Sequence, residues 1–247
     1  MSRLRGDDEM IKPLLAILSP RDLDFVKEAF DAIDYVDKLW VKYMPMKDAY
    51  NTARNEFLRR DYTHLIVSSD DITPSRESVA MLMLDAWLYD FPVVSGCCRV
   101  HERSMKINIT VKPVRIPKSG KIYRENYPFL WIDALKNPRI IEVWFVGFAL
   151  TMIRRDVVEK IPFRAWDAEK LGDFMYDLSF SYDCAEAGIK KYADLRVFSE
   201  HYPSTKKHLL VGKREPKLVW EKAKNKLILL NERELESEKM ITIDLTA

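Results

Sequence analysis

The feature that most constrains this chain is a fourfold alternation of short apolar runs and helix-spaced segments across its first hundred residues. Pro13–Ser19 (PLLAILS) is a compact apolar run closed by Ser-Pro, the pattern of a buried strand. Arg21 to Ile33 then places Leu23, Phe25, Val26, Ala29, Phe30 and Ile33 at helical spacing. Lys38 to Tyr43 alternates as a strand. Lys47 to Arg60 turns Ala49, Ala53, Phe57 and Leu58 to one face of a helix, and Thr63 to Ser69 is a third strand, apolar at its centre. Pro74 fits the first turn of a helix with Thr73 as its N-cap; that helix ends near Asp90, and Pro92 to Ser95 is a fourth strand. Strands that alternate with helices imply a parallel sheet with helices on its faces.

The second half is less regular. Lys106 to Val114 alternates like an exposed antiparallel strand, and Pro113 to Asn126 is basic and reads as a mobile loop. Ile140 to Ile153 is strongly apolar around Gly147. Asp173 to Ala187 reads as a helix closed by Gly188, and Lys191 to Glu200 as a last strand. At 247 residues, 47% of them hydrophobic, the chain can build one large α/β domain. No apolar run approaches the roughly 18 residues of a membrane span, and the N-terminus lacks the apolar stretch of a signal peptide. The three cysteines include an adjacent pair and make neither a disulfide framework nor a zinc spacing, so a cytoplasmic protein is expected. Charged residues reach 32% and glutamine is absent, a habit of thermophile proteins. A net charge of +2 excludes a general polyanion binder.

Chemistry concentrates where the third strand ends. In an open parallel sheet, ligands bind beyond the carboxyl ends of the strands, and Asp70 and Asp71 follow HLIVSS at such an end. Two adjacent carboxylates repel unless a cation is shared between them, and a hard divalent ion bridging to diphosphate oxygens needs this arrangement. An acidic turn capping the next helix is the competing reading.

The run from Tyr50 to Val100 resembles the core of family-2-like glycosyltransferases of the GT-A type. Ala53-Arg54-Asn55 matches that family's Ala-Arg-Asn helix. Ser69-Asp70-Asp71, followed by Ile72-Thr73-Pro74, stands where its Asp-x-Asp motif is expected, and Pro92-Val93-Val94-Ser95-Gly96 matches its next strand. Val146 to Leu150 with Arg154-Arg155-Asp156-Val157 is similar to its Gly-x-Gly and Arg-Arg-x-Val blocks. Asp177 to Phe180, Glu186 to Ile189 and Ser199-Glu200-His201 are similar to its acidic motif, helix end and closing histidine. Three positions depart from the pattern: Ser69 replaces the first Asp, Tyr176 a Glu, and Ala149 the second Gly.

The resemblance implies a GT-A, Rossmann-like, mostly parallel sheet flanked by helices, with a smaller antiparallel acceptor side. It also implies an inverting, metal-dependent transfer of a sugar from a nucleoside diphosphate sugar (UDP- or GDP-sugar) to a hydroxyl acceptor. Asp71 and His201 would hold Mn2+ or Mg2+, and Asp177 would be the general base. Asp70 would contact the ribose or support the metal site. Ser19, Pro20, Arg21 and Tyr43, at the ends of the first two strands, would line the donor crevice with Arg54, whose guanidinium could equally pair with Glu56. Trp131, Trp144, Gly147 and Phe148 would face the acceptor, with Tyr127 and Phe129 as further platforms; core packing is the competing fate of such rings.

The domain is expected over residues 1–202, followed by a basic C-terminal helical extension over 203–247. Leu218 to Leu230 carries Trp220, Ala223, Leu227 and Leu230 at helical spacing among lysines. That pattern suits either a peripheral membrane contact or a helix docked on the domain, and the acidic stretch after it argues against specific nucleic-acid binding. Two rivals remain: a sugar nucleotidyltransferase, which would need a Gly-rich basic loop after the first strand, and a catalytically degenerate sugar- or nucleotide-binding domain.

Overall fold

A computed structural model describes residues 11–21, 23–100, 106–111, 131–136, 138–165, 176–202, 214–225 and 227. The elements in chain order are β1 (Pro13–Ser19), α1 (Asp24–Asp31), β2 (Asp37–Lys42), α2 (Met46–Leu58), β3 (His64–Ser69), β4 (Ile72–Thr73), α3 (Arg76–Tyr89), β5 (Val93–Cys98), β6 (Ile109–Thr110) and α4 (Trp131–Lys136). These are followed by β7 (Ile140–Val143), β8 (Phe145–Val146), β9 (Leu150–Arg154), α5 (Arg155–Lys160), α6 (Tyr176–Glu186), β10 (Lys191–His201) and β11 (Lys217–Glu221).

Among the described residues, one sheet runs in the order β11-β2-β1-β3-β9-β5-β10-β4, with β7 also on β10. Strands β1, β2, β3, β5 and β10 point the same way; β9 is inserted antiparallel between β3 and β5, and β4, β7 and β11 are antiparallel at the margins. A small antiparallel pair, β6 and β8, stands apart. This is the mixed α/β, mostly parallel architecture expected from the sequence.

Successive side chains of a strand point to opposite faces. Leu14, Ala16 and Leu18 of β1 therefore pack with Ala49, Ala53 and Phe57 of α2 and Phe180 of α6, while Leu15 and Ile17 pack with Phe30 of α1 and Leu82 of α3. Both faces are covered, so β1 is buried throughout and reads as a continuous apolar run rather than an alternating one. Two arginines stitch the first face together. Arg54 of α2 donates to the carbonyls of Val158 and Glu159 in the last turn of α5 (2.9 and 3.0 Å), and Arg155 of α5 donates to those of Leu58, Arg60 and Tyr62 at the end of α2. Each cation thus satisfies orphan carbonyls at the other helix's negative end.

Several local readings are corrected. The N-cap of α3 is Ser75, whose Oγ accepts from Ser78 N at 3.1 Å, because Thr73 is taken into the β4–β10 ladder opposite Glu200; Pro74 lies before the cap. Ile107 and Ile109 are fully buried rather than on an exposed strand, since β6 turns them under β8. Residues 217–221 form a strand, not part of a helix: they pair antiparallel with β2 and cover what would otherwise be an open sheet edge. Trp220 then lies under the Arg60 guanidinium, 3.9 Å from its ring centre. Gly188 does close α6, at φ 69°, with Ile189 N bonded back to the carbonyl of Cys184. All three cysteines are buried and unpaired with one another. Residues 113–126, Tyr127, Phe129 and most of 203–247 lie outside the described residues. No helix among the described residues is long and apolar enough to cross a membrane.

Candidate functional site

The carboxyl ends of β1, β2 and β3 lie side by side because the three strands are parallel and in register, Ser19 opposite Lys42 and Leu18 opposite Ser69. Tyr43 leaves β2 with a positive φ of 57°, a strained conformation for an aromatic residue, and its N–H bonds to the carbonyl of Ser19. Arg214, in the segment leading to β11, donates to the Tyr43 hydroxyl at 3.0 Å and lies over its ring. Ser19 is fully buried, and among the described residues its Oγ has no hydrogen-bond partner. A buried hydroxyl left unpaired at a crevice costs stability and is a natural contact for a polar ligand.

Asp70 is only 1% exposed and is gripped by Arg21 through backbone N to Oδ2 (2.8 Å), Nε to Oδ1 (2.8 Å) and a further contact from Nη2. Burial pushes the Asp70 carboxyl up, and Asp71 adds to this against the pull of Arg21. Arg21 and Asp70 thus neutralise each other and shape the turn, which corrects the expectation that either side chain is free for the donor. Pro20, between Ser19 and Arg21, is buried in the same turn.

Asp71 has different surroundings. Ser69 Oγ donates to its Oδ1 at 2.6 Å, the Arg21 guanidinium lies 3.4 Å from Oδ2, and His201 Nε2 lies 3.6 Å from Oδ2. Burial alone would raise this carboxyl; the contacts from His201 and Ser69 and the charges of His201 and Arg21 outweigh it and hold Asp71 far below the usual carboxylate range. His201 is brought here from 130 residues away by the pairing of β4 with β10, which sets Ile72 opposite His201 and bonds Tyr202 N to the carbonyl of Asp71. A bulge in β10 between Ala193 and Phe198 redirects the strand toward β4. Nδ1 of His201 lies 2.8 Å from the Arg99 carbonyl, which only accepts, so Nδ1 carries a proton and donates to it, leaving Nε2 turned toward Asp71. An imidazole nitrogen and a carboxylate oxygen so placed are satisfied by a proton on Nε2 or by a metal cation bound between them.

Among the described residues no group of three or more His, Cys, Asp or Glu is set to enclose a metal ion. The Asp71–His201 pair nevertheless fits one kind of site, in which the protein supplies two ligands and substrate phosphates and water supply the others. The backbone carbonyl behind His201 is the partner a metal-bound imidazole requires.

Tyr50 links this corner to α6, and sequence reading missed it. Its ring stacks on Tyr176 (4.8 Å between centroids, 27°), and its hydroxyl is pushed far above its ordinary range first by burial, then by the charges of Asp177, Asp71 and Tyr176. Both carboxylates therefore act on one phenol. Asp177 is half-buried in the first turn of α6, with Oδ1 accepting from Leu178 N at 2.8 Å. Tyr50 was legible only as one more residue on the Ala49–Ala53 face of α2.

The remaining calls separate. Arg54 is engaged by the carbonyls of Val158 and Glu159 at the end of α5 rather than by Glu56, which leaves its guanidinium committed away from this edge. Phe148 is a core residue packed among Tyr50, Phe163 and Phe180, so it is not an acceptor platform. Gly147 is needed for a different reason: a Cβ there would lie 2.7 Å from the side chain of Asn108, whose Oδ1 holds Cys98 N. Trp144 is half-buried between β7 and β8, its N–H bonded to the Thr110 carbonyl. Trp131 begins α4, and its side chain lies outside the described residues.

No protein-family model and no curated protein matches this sequence. Among solved structures, the chain is similar to A197 from STIV at 16% identity and TM-score 0.52, over 89% of this chain and 98% of that one. It is similar at lower scores to CMP:2-keto-3-deoxy-manno-octonic acid synthetase complexed with CTP (TM-score 0.42, 11% identity, 76% of this chain and 90% of that one). The same holds for the inositol-1-phosphate CTP transferase from T. maritima (TM-score 0.38, 11% identity, 78% and 71%). At this identity A197 supports the fold alone, a mixed α/β sheet.

Proposed function

We propose that the protein transfers a sugar from a nucleoside diphosphate sugar to a hydroxyl acceptor, with a divalent cation held by Asp71 and His201. The observation that carries this reading is the convergence of the Asp71 carboxylate and His201 Nε2 at 3.6 Å beside the tip of the sheet, with a second carboxylate, Asp177, near enough for its charge to act on the same Tyr50 hydroxyl. Bound there, Mn2+ or Mg2+ would neutralise charge on the departing diphosphate. Ser69 and Arg21 keep Asp71 ionised and aimed; Ser19, Tyr43 and Arg214 line the crevice toward the nucleoside; Asp177 takes the acceptor's proton.

Nucleotidyl transfer is the rival chemistry. It calls for a glycine-rich, basic phosphate loop after β1, whereas the chain there has no glycine, and its arginine is consumed by Asp70 and Asp71. Incubation with nucleotide sugars and Mn2+ decides between them: release of UDP or GDP supports glycosyl transfer, and release of pyrophosphate from CTP and a sugar supports the rival. Asp177→Asn is expected to fold with an unchanged melting temperature and to lose transfer by about 100-fold or more, the scale of a missing general base. Full transfer in that variant removes Asp177 from the role.

A further inference from the structure

At the opposite end of the sheet, a recess of about 500 Å³ opens between the end of α3, the start of β7 and the first half of β10. Tyr192 and His201 stand nine residues apart on β10, so the recess is removed from the Asp71 corner by up to roughly 30 Å at the rise of an extended strand. Its wall is a row of stacked rings. Phe91 lies on Tyr192 with centroids 4.0 Å apart and planes 26° from parallel, and Tyr89 lies on Phe91 at 5.2 Å and 28°. The outermost ring, Tyr89, is 54% exposed.

The charges around this row do not balance. Arg196 is spent: its Nε and Nη2 bind Asp194 at 2.9 and 2.7 Å, and Nη2 also reaches Asp85 at 3.2 Å. Glu142 is paired with Lys190 at 2.7 Å. Arg139 is exposed on the rim, and among the described residues no carboxylate meets it. The recess therefore joins a rigid aromatic platform to an uncommitted guanidinium fork, within the volume range of small-molecule sites.

We propose that this recess is a second binding site, for a small ligand whose ring stacks on Tyr89 while an anionic group is held by Arg139. Fixed aromatic rings lose little side-chain freedom on binding, and a guanidinium favours a carboxylate or phosphate over a neutral hydroxyl. That chemistry has two sources, an acidic sugar unit of a saccharide or a nucleoside monophosphate. The site stands independently of the transferase reading.

The test uses the full chain and two matched pairs of probes in isothermal titration and saturation-transfer NMR: methyl β-glucuronide against methyl β-glucoside, and adenosine monophosphate against adenosine. One anion is expected to bind about tenfold or more tighter than its neutral partner, the scale of one charge-assisted contact; which pair discriminates identifies the source. Arg139→Ala should erase the preference with an unchanged melting temperature, since its side chain is exposed, and Tyr89→Ala should weaken both members of the pair while lowering the melting temperature only slightly through the lost stacking on Phe91. Asp71→Ala should leave the binding intact, which separates this site from the donor crevice. Equal binding within both pairs, binding that survives Arg139→Ala and Tyr89→Ala, or binding lost in Asp71→Ala overturns the proposal.

Discussion

Asp85 shows how one buried residue can set the pH response of the whole chain. It sits on α3 at 1% exposure, facing Asp194 of β10, and among the described residues the partly exposed Arg196 is the cation that answers the two carboxylates. Burial, then the hydrogen bond and charge of Asp194, push the Asp85 carboxyl up to about 8. Asp194 would also be raised by burial, but its bonds to Arg196 and Asp85 hold it low. The folded chain thus keeps a proton on this pair that the unfolded chain releases near pH 4. Stability from this source is complete below about pH 4, declines as pH rises, and is gone above about pH 8. Melting temperature is expected to fall between pH 5 and 8. In Asp85→Asn, whose amide donates to Asp194 at any pH, that slope should flatten; an unchanged slope would place the proton elsewhere. Arg54 offers a second residue-scale test, since its bond to the Val158 carbonyl is partly buried while that to Glu159 is exposed. Arg54→Ala should cost about 1 kcal/mol, mainly through the Val158 carbonyl, while leaving nucleotide affinity within twofold, as measured by denaturant titration and calorimetry.

At the level of elements, β10 does the most to build the site, and Gly96 permits it. A Cβ at Gly96 would meet Val197 Cγ1 at 2.6 Å and the Val197 carbonyl at 2.9 Å, and a backbone atom cannot step aside as a flexible side chain can. Gly96→Ala should push β10 off β5, cost about 1–3 kcal/mol, and lower the melting temperature by about 2–4 °C per kcal/mol. Since His201 rides on the same strand, the variant should also lose metal-dependent activity out of proportion to its stability. Gly96 was readable in the sequence as part of Pro-Val-Val-Ser-Gly, but its reason was not, because Val197 is a hundred residues away. The same limit explains other misses. The α/β alternation of the first hundred residues is a local signal, written in the spacing of apolar residues, and it fixed both layers of the core. Arg54 looked like a phosphate ligand because its true partners, two carbonyls of α5, carry no side-chain signature. Residues 217–221 read as helix because Trp220 starts a helical spacing with Ala223 and Leu227, although Leu218 and Trp220 also alternate as in a strand; the open edge of β2 decides for the strand.

For the molecule as a whole, the candidate site gathers residues from Ser19 to Arg214, on strands from both halves of the sheet. Its approximate place was legible, because Asp70 and Asp71 end a parallel strand. Its division of labour was not: only tertiary structure shows that Arg21 claims Asp70 and leaves Asp71 to His201. A ligand spanning Ser19, Tyr43 and Asp71 would join the β1–β3 half to the β5–β10 half through β4. Such a ligand binds the folded chain alone, so it stabilises by mass action, about 2.7 kcal/mol at a hundredfold excess over Kd. For a chain of this size that corresponds to a rise of roughly 5–10 °C in melting temperature. UDP or GDP with Mn2+ should produce it, the nucleotide alone should give less, and Mn2+ alone little, because two protein ligands hold a cation weakly without phosphate oxygens to complete its shell. Asp71→Ala should abolish the metal-dependent part, whereas Ser19→Ala should raise the melting temperature of the free protein, by removing an unpaired buried hydroxyl, while reducing the gain from nucleotide. If every combination of UDP or GDP with Mn2+ or Mg2+ leaves the melting curve unmoved, this edge of the sheet is not a donor site, however well Asp71 and His201 are placed.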